Sequence, residues 1–252
     1  MVLEAIDVTV RFGGHVALDD ASISVVPGAI RGLIGPNGAG KTTLFNVCSG
    51  FQAVKSGKVL YDGRDITSMS SIKRARLGVS RTFQRMQLFA SLTCLDNVLI
   101  AAETSRTRGA GDEQGRRVRK SSDRERAERT LLEVGLGGFA DKPARDLTTG
   151  QGRLLELARA LVRNPSYLLL DEPSSGLDVK ETRQFGDLLA EVTERNGFGV
   201  LLVEHDMDLV LRVTEHITVL TEGRVLAVGS PRDIRSSQAV RAAYLGDEVG
   251  AA

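Results

Sequence analysis

An α/β fold, with a mostly parallel sheet, an N-terminal antiparallel β-subdomain and a helical subdomain, is what this 252-residue sequence predicts. Three observations carry the prediction. Two apolar runs, "PSYLLLDEP" (165–173) and "GFGVLLVEHD" (197–206), read as strands buried on both faces. The helical stretch between them is long enough for a βαβ crossover, hence for parallel pairing. The pattern also changes along the chain: the first third alternates with period two, whereas residues from about 86 to 165 read as helix.

Taken in order, residues 2–12 alternate as a strand, and "ASISVVPGAIRGLIG" holds two more, broken by the Pro27-Gly28 turn. The segment "GKVLYDGRDI" (57–66) reads as a strand pair around Asp62-Gly63. A helix follows in "SLTCLDNVLIAAE", with Ser91 as its N-cap. Residues 105–129 carry nine basic and five acidic residues and a single Val, the composition of a solvated loop running into a charged helix. "RTLLEVGL" restores amphipathic spacing, and "VKETRQFGDLLAEVTERNG" is a helix ending at Asn196-Gly197. "HITVLTEGRVLAVGSP" closes with a hairpin around Glu222-Gly223, and no internal repeat is visible.

Composition limits the function classes. The net charge of +1 (33 basic, 32 acidic) creates no field for nucleic acid or anionic membrane. Aromatics are 4% and Trp is absent, so no nucleic-acid partner is expected. Cys48 and Cys94 are too few for a disulfide framework, suit a reducing compartment and read as small core residues. The N-terminus has no basic and apolar leader pattern, and no window approaches about 18 uninterrupted apolar residues. Any membrane role is therefore expected to come through a partner.

The stretch "GPNGAGKTT" (35–43) holds the chemistry. Gly35, Gly38 and Gly40 permit torsions that turn backbone N–H groups inward as an anion-binding nest, while Pro36, Asn37 and Ala39 complete the loop. Lys41, Thr42 and Thr43 open a helix whose N-terminus adds positive partial charge. This strand–loop–helix context is what the G-x-x-x-x-G-K-[ST] pattern requires. Lys41 would reach the β- and γ-phosphates of a nucleotide, and the Thr42 hydroxyl would ligate Mg²⁺.

A phosphate cradle serves several chemistries, so the other polar residues matter. Asp171-Glu172 stands where "YLLL" leaves the sheet: Asp171 is the metal candidate and Glu172 the base that orients water. His205 follows the next buried strand, on the edge where such sheets bind ligands, as a donor to the γ-phosphate. His15 and His216 read as structural. In "LTTGQGRLLELARALVRNP", Thr148 or Thr149 supplies an N-cap hydroxyl, Gly150 allows close approach and Gln151 opens an amphipathic helix, a second anion-ready N-terminus.

With these residues in place, the chain resembles the nucleotide-binding domain of ATP-binding-cassette (ABC) transporters over nearly its whole length. Gly35–Thr42 is similar to the Walker A loop, Tyr167–Glu172 to the Walker B strand, and Leu147–Gln151 to the LSGGQ signature. Gln84 in "RTFQ" resembles the Q-loop residue, with an implied catalytic and metal-binding role. Ser175–Asp178 resembles the D-loop, His205 the switch histidine, and Phe12 the aromatic that stacks on adenine. The signature departs from the pattern, with Thr148 for Ser and Thr149 for the first Gly. The resemblance implies a P-loop NTPase core (1–85 and 166–252) and a helical subdomain (about 86–165) in one domain, 1–252. It implies ATP and Mg²⁺ as ligands, and a second cassette whose signature completes each site.

"RTFQRMQLFASLTCLDNVLIA", the charged stretch after it, "EHDMDLV" and "RAAYLG" resemble the ATPases of branched-chain amino-acid importers, whose relatives also serve other small polar solutes. That implies integral-membrane permease partners, a solute-binding protein and a location on the cytoplasmic face of the cell membrane. The competing classes are an exporter or lipid-transport ATPase and a soluble ABC protein. Soluble ABC proteins typically carry two cassettes or a coiled-coil insertion, and this chain has one cassette and no sustained heptads. A P-loop kinase would need neither the signature helix nor His205.

Overall fold

The computed structural model describes residues 2–104 and 113–245. Its elements in chain order are β1 (Leu3–Phe12), β2 (His15–Val25), β3 (Ile30–Ile34), α1 (Lys41–Ser49), β4 (Ser56–Tyr61), β5 (Arg64–Asp65), α2 (Ser71–Arg76) and β6 (Val79–Arg81). The helical stretch follows as α3 (Cys94–Thr104), α4 (Glu113–Glu133) and α5 (Thr149–Leu161). Last come β7 (Tyr167–Asp171), α6 (Val179–Asn196), β8 (Gly199–Val203), α7 (Met207–Val213), β9 (His216–Thr221), β10 (Arg224–Gly229), α8 (Pro231–Ser236) and α9 (Gln238–Leu245).

The chain divides into two compact units. One holds the residues up to Arg81, Ser166–Glu172 and those from Leu189 onward; the other holds Thr82–Pro165 and Pro173–Leu188.

The first unit contains both sheets. An antiparallel sheet runs β2-β1-β4-β5, and a six-stranded sheet runs β10-β9-β3-β8-β7-β6. In the second sheet β9, β3, β8, β7 and β6 are parallel, and β10 is added antiparallel by the hairpin at Glu222-Gly223. β7 and β8 are buried at every position, which explains their unbroken apolar sequence. One core lies around α1, where Leu44, Phe45 and Val47 meet Val8, Val10, Leu33, Leu169 and Leu201. A smaller one joins Ile34, Val210, Ile217, Val219 and Ile234. Cys48 and Cys94 are free buried thiols, and burial pushes the Cys48 thiol up to about 12.

Several local expectations change. β2 begins at His15 rather than Ala21, because Gly13-Gly14 makes a tight turn with Phe12 opposite His15. Positive φ at Asp7 and Asp20 and the shifted register between β1 and β2 break the alternation that would have revealed it. Residues 71–81, not assigned from sequence, form α2 and β6. α3 is capped by Thr93, not Ser91: the Thr93 hydroxyl accepts the Asp96 amide at 3.0 Å and donates to the Asp96 carboxylate at 2.6 Å. The first part of the charged 105–129 stretch, residues 105–112, lies outside the described residues; the remainder belongs to α4.

The second unit is helical, with Leu131, Val134, Leu155 and Ala158 buried. Among the described residues no helix is long and apolar enough to cross a membrane.

Candidate functional site

In the first unit, the C-terminal ends of β3, β7 and β8 share one edge of the parallel sheet. β3 leads into the glycine-rich loop Gly35–Gly40. Gly35 takes φ 152° and Gly40 φ 100°, and a Cβ there would stand 2.1 Å from the Leu220 carbonyl oxygen and 2.6 Å from that of Ala17. Only glycine fits both the torsion and the space. The loop is closed by the Lys41 ammonium, which donates to the carbonyls of Gly35 at 2.6 Å and Pro36 at 2.9 Å. Burial holds this ammonium below the usual lysine range, against the opposing pull of the Glu172 and Asp171 charges. Thr42 is exposed in the first turn of α1, and Thr43 is half-buried beside it.

β7 delivers Asp171 buried and Glu172 partly exposed. Asp171 is held above the ordinary carboxyl range, first by desolvation and then by the neighbouring Glu172 charge; Arg81 and Lys41 pull the other way. Glu172 adopts φ +49°, unusual for a long side chain, while its amide donates to the Val203 carbonyl at 2.9 Å. Backbone strain of this kind is held in place by the surrounding structure and concentrates at functional sites.

β8 delivers His205, 69% exposed, with Nδ1 3.9 Å from a carboxylate oxygen of Glu172 and 3.9 Å from one of Glu204. These separations are too long for hydrogen bonds. The ring is therefore beside the two acids without being tied to them by Nδ1. Asp206 caps α7, accepting the Leu209 amide at 3.0 Å.

Two residues absent from the sequence reading complete this edge. The Glu204 side chain is fully buried and accepts the amides of His205 at 3.1 Å and Asp206 at 3.5 Å, fixing the turn that presents His205. An acid ending an apolar strand was the available signal. Arg81, at the end of β6, lies 4.8 Å from the Phe45 ring centroid and 4.6 Å from that of Phe51. It donates to Asn46 at 2.9 Å and Ser49 at 3.0 Å while its charge acts on Asp171. Phe12 has an exposed ring at the β1–β2 turn.

The remaining candidates belong to the second unit. Thr148, rather than Thr149, caps α5: its hydroxyl accepts the Gln151 amide, and the Gln151 side chain returns to the Thr148 amide, each at 3.2 Å. Thr149 is thus the first helical residue, ahead of Gln151. Asp178 stands before α6, with the Glu181 amide donating to its carboxylate at 2.8 Å. Gln84 is exposed, and its carbonyl accepts from Arg153 at 3.4 Å. A cleft of about 520 Å³ runs past Thr148, Gly150 and Gln151, with Glu181, Leu177 and Phe185 also lining it.

A divalent cation fits the donors of the first unit. The Asp171 carboxyl, raised by desolvation and a like charge, is a place where added positive charge is favourable, and Thr42 offers a hydroxyl oxygen. Among the described residues no three His, Cys, Asp or Glu are grouped to hold a metal by themselves. That donor set suits Mg²⁺, which takes one or two protein oxygens and completes its shell with phosphate and water.

Residues 18–175 match the family described as ABC transporter, and residues 224–250 match the branched-chain amino acid ATP-binding cassette transporter family. The chain is 40% identical over 250 residues, 98% of each protein, to the high-affinity branched-chain amino acid transport ATP-binding protein BraF of Pseudomonas aeruginosa. It is 39% identical over 241 residues, 94% of each, to LivG of Escherichia coli K12, which bears the same description. A crystal structure of the ADP conformation of an ATP-binding cassette of an ABC transporter superposes with TM-score 0.84 at 30% identity, covering 98% of this chain and 99% of the other. A dimeric bacterial ABC transporter cassette superposes with TM-score 0.76 at 27% identity, covering 92% and 99%.

Proposed function

The chain belongs to the ABC transporter family, and from that premise we propose how its residues do the work of a transport ATPase. It is the ATP-binding subunit of a high-affinity branched-chain amino-acid importer and hydrolyses ATP for transport. The Gly35–Gly40 backbone and the N-terminus of α1 bind the phosphates, with Lys41 moving from the loop carbonyls to the β- and γ-phosphate oxygens. Phe12 offers its exposed ring to adenine. Thr42 and Asp171, with Gln84, hold Mg²⁺, which when bound neutralises charge on the transferring phosphoryl group. Glu172 accepts the proton of the attacking water, and His205 donates to the γ-phosphate.

Thr148–Gln151 and Asp178 serve a second nucleotide, held by the phosphate loop of another cassette. The N-terminus of α5 has the positive partial charge for that task, and family members form dimers. Integral-membrane permease subunits supply the path for the solute, a solute-binding protein delivers it, and the chain acts on the cytoplasmic face of the membrane through those partners.

The observation that carries this reading is the convergence of Lys41, Asp171, Glu172 and His205 on one sheet edge. The test is uptake of labelled leucine, isoleucine and valine into vesicles holding the chain with its permease subunits, supplied with the solute-binding protein. Uptake should need Mg–ATP and stop with Lys41→Ala. Removing the ammonium should also weaken ATP binding about 10- to 100-fold, as expected for a hydrogen bond to a charged group. Uptake that persists with Lys41→Ala would overturn the assignment.

A further inference from the structure

Arg153 is among the most buried cations of the second unit, its side chain 7% exposed in the second turn of α5. One guanidinium nitrogen, Nη1, pairs with the Glu156 carboxylate at 2.9 Å. Nη2 donates to the Ser175 carbonyl at 3.1 Å and to the Gln84 carbonyl at 3.4 Å, and Nε reaches Ser175 at 3.4 Å. Glu156 in turn accepts the amide of Gln87 at 3.1 Å. One ion pair therefore holds the backbone of the 84–87 segment and of the 173–178 loop against the start of α5.

The same pieces also approach one another closely. The methyl of Thr149 lies where a Cβ on Gly176 would stand 3.2 Å away. A Cβ on Gly150 would come within 2.6 Å of a Glu181 carboxylate oxygen. The residues 84, 148–151 and 178, far apart in the chain, thus sit on segments that share one buried cation.

We propose that Arg153 is a positioning residue: it makes the Gln84 segment, the Asp178 loop and the N-terminus of α5 a single rigid piece. This rests on the reading above that those residues act on nucleotide. A guanidinium is suited to the task because its planar fork donates to several acceptors at once. Lysine would keep the charge but not that geometry. Arg153 itself contributes nothing to the phosphate loop, so ATP affinity at Lys41 should not depend on it.

The test uses the full chain in its transporter complex, with Arg153→Lys and with the double substitution Arg153→Met, Glu156→Met. A buried ion pair replaced by apolar side chains of similar size often leaves stability unchanged or raised. The double variant therefore keeps the experiment informative if the single one folds poorly. In both, kcat for ATP should fall about 10- to 100-fold with little change in KM, as expected when reacting groups are misplaced by about an ångström. Amide hydrogen exchange should quicken together at residues 84–88 and 174–178. Wild-type kcat in a folded variant, or turnover falling only in step with the folded fraction, would overturn the proposal. An inactive wild-type complex, or one whose hydrolysis survives Lys41→Ala, would instead count against the ATPase assignment itself.

Discussion

Asp171 shows, at the level of one residue, what burying a carboxyl costs in stability. Its carboxyl is pushed above the ordinary range by burial and by Glu172, so the folded protein holds that proton more tightly than the unfolded chain does. Folding then loses stability through this group as pH rises from the usual carboxylate range toward the raised value. Asp171→Asn removes the penalty while keeping the shape. Without nucleotide, the variant should melt higher than wild type at neutral pH, and the difference should shrink as pH falls to about 4, near the normal Asp value. Thermal melts across that range check it; a difference that ignores pH would contradict the burial argument. Stabilisation by Mg–ATP should be lost in the same variant.

Glu172 is the complementary case, a side chain held at φ +49° by the end of β7 and the amide bond to Val203. Glu172→Gln keeps the size and most of the hydrogen bonding but cannot take a proton. Hydrolysis should fall about 10²-fold or more, the usual contribution of a general base, while Mg–ATP still binds. Single-turnover measurements with a nucleotide titration separate the two. Near-normal hydrolysis would remove Glu172 from the role.

At the level of elements, the start of α5 carries its own prediction. Thr148 and Gln151 form a reciprocal cap that does not involve Thr149, so Thr149→Gly should leave turnover close to wild type. The expected loss of helix stability is about 0.3 kcal/mol or less, because Thr is itself a weak helix former and Thr149 is only the first helical residue. Gly150→Asp is different. Its Cβ would enter the space held by the Glu181 carboxylate and bring a second negative charge to a helix N-terminus. ATPase activity should collapse there, and equal activity in the two variants would show that this loop is only a cap. α1 shows the same logic: Arg74 secures its C-terminal turn by donating to the carbonyls of Val47 at 2.6 Å and Cys48 at 2.9 Å, and its other nitrogens reach Met69, Ile66 and Thr67. These bonds satisfy carbonyls that a helix end leaves without partners.

For the whole molecule, the question is what ATP does to association. Binding that occurs only between two cassettes stabilises the dimer by mass action. In Glu172→Gln the ATP persists, so the variant should be dimeric with ATP and monomeric with ADP, whereas wild type should dimerise only transiently. Light scattering with each nucleotide measures this. Blocked hydrolysis with no dimer at any ATP concentration would contradict the two-cassette arrangement of the site.

Much of the candidate site on the sheet edge was legible in the chain, because it is written in local terms. Glycine torsions, a lysine at a helix start and an acid pair ending an apolar strand each depend on a few neighbouring residues. The hairpins at Asp62-Gly63 and Glu222-Gly223 were legible for the same reason. The choice of Thr93 over Ser91 and of Thr148 over Thr149 needed only the hydroxyl geometry that sequence cannot supply. Arg81, Glu204 and Arg153 are different in kind. Arg81 gains its place beside Asp171 because the sheet sets β6 against β7, with Val79 opposite Tyr167. Arg153 bonds to a carbonyl 69 residues away. Sequence pattern identified the residues proposed to bind phosphate, since their placement follows from local backbone geometry. Only tertiary structure identified the buried charges that hold them, because a charge can be buried only where the fold brings distant partners to meet it.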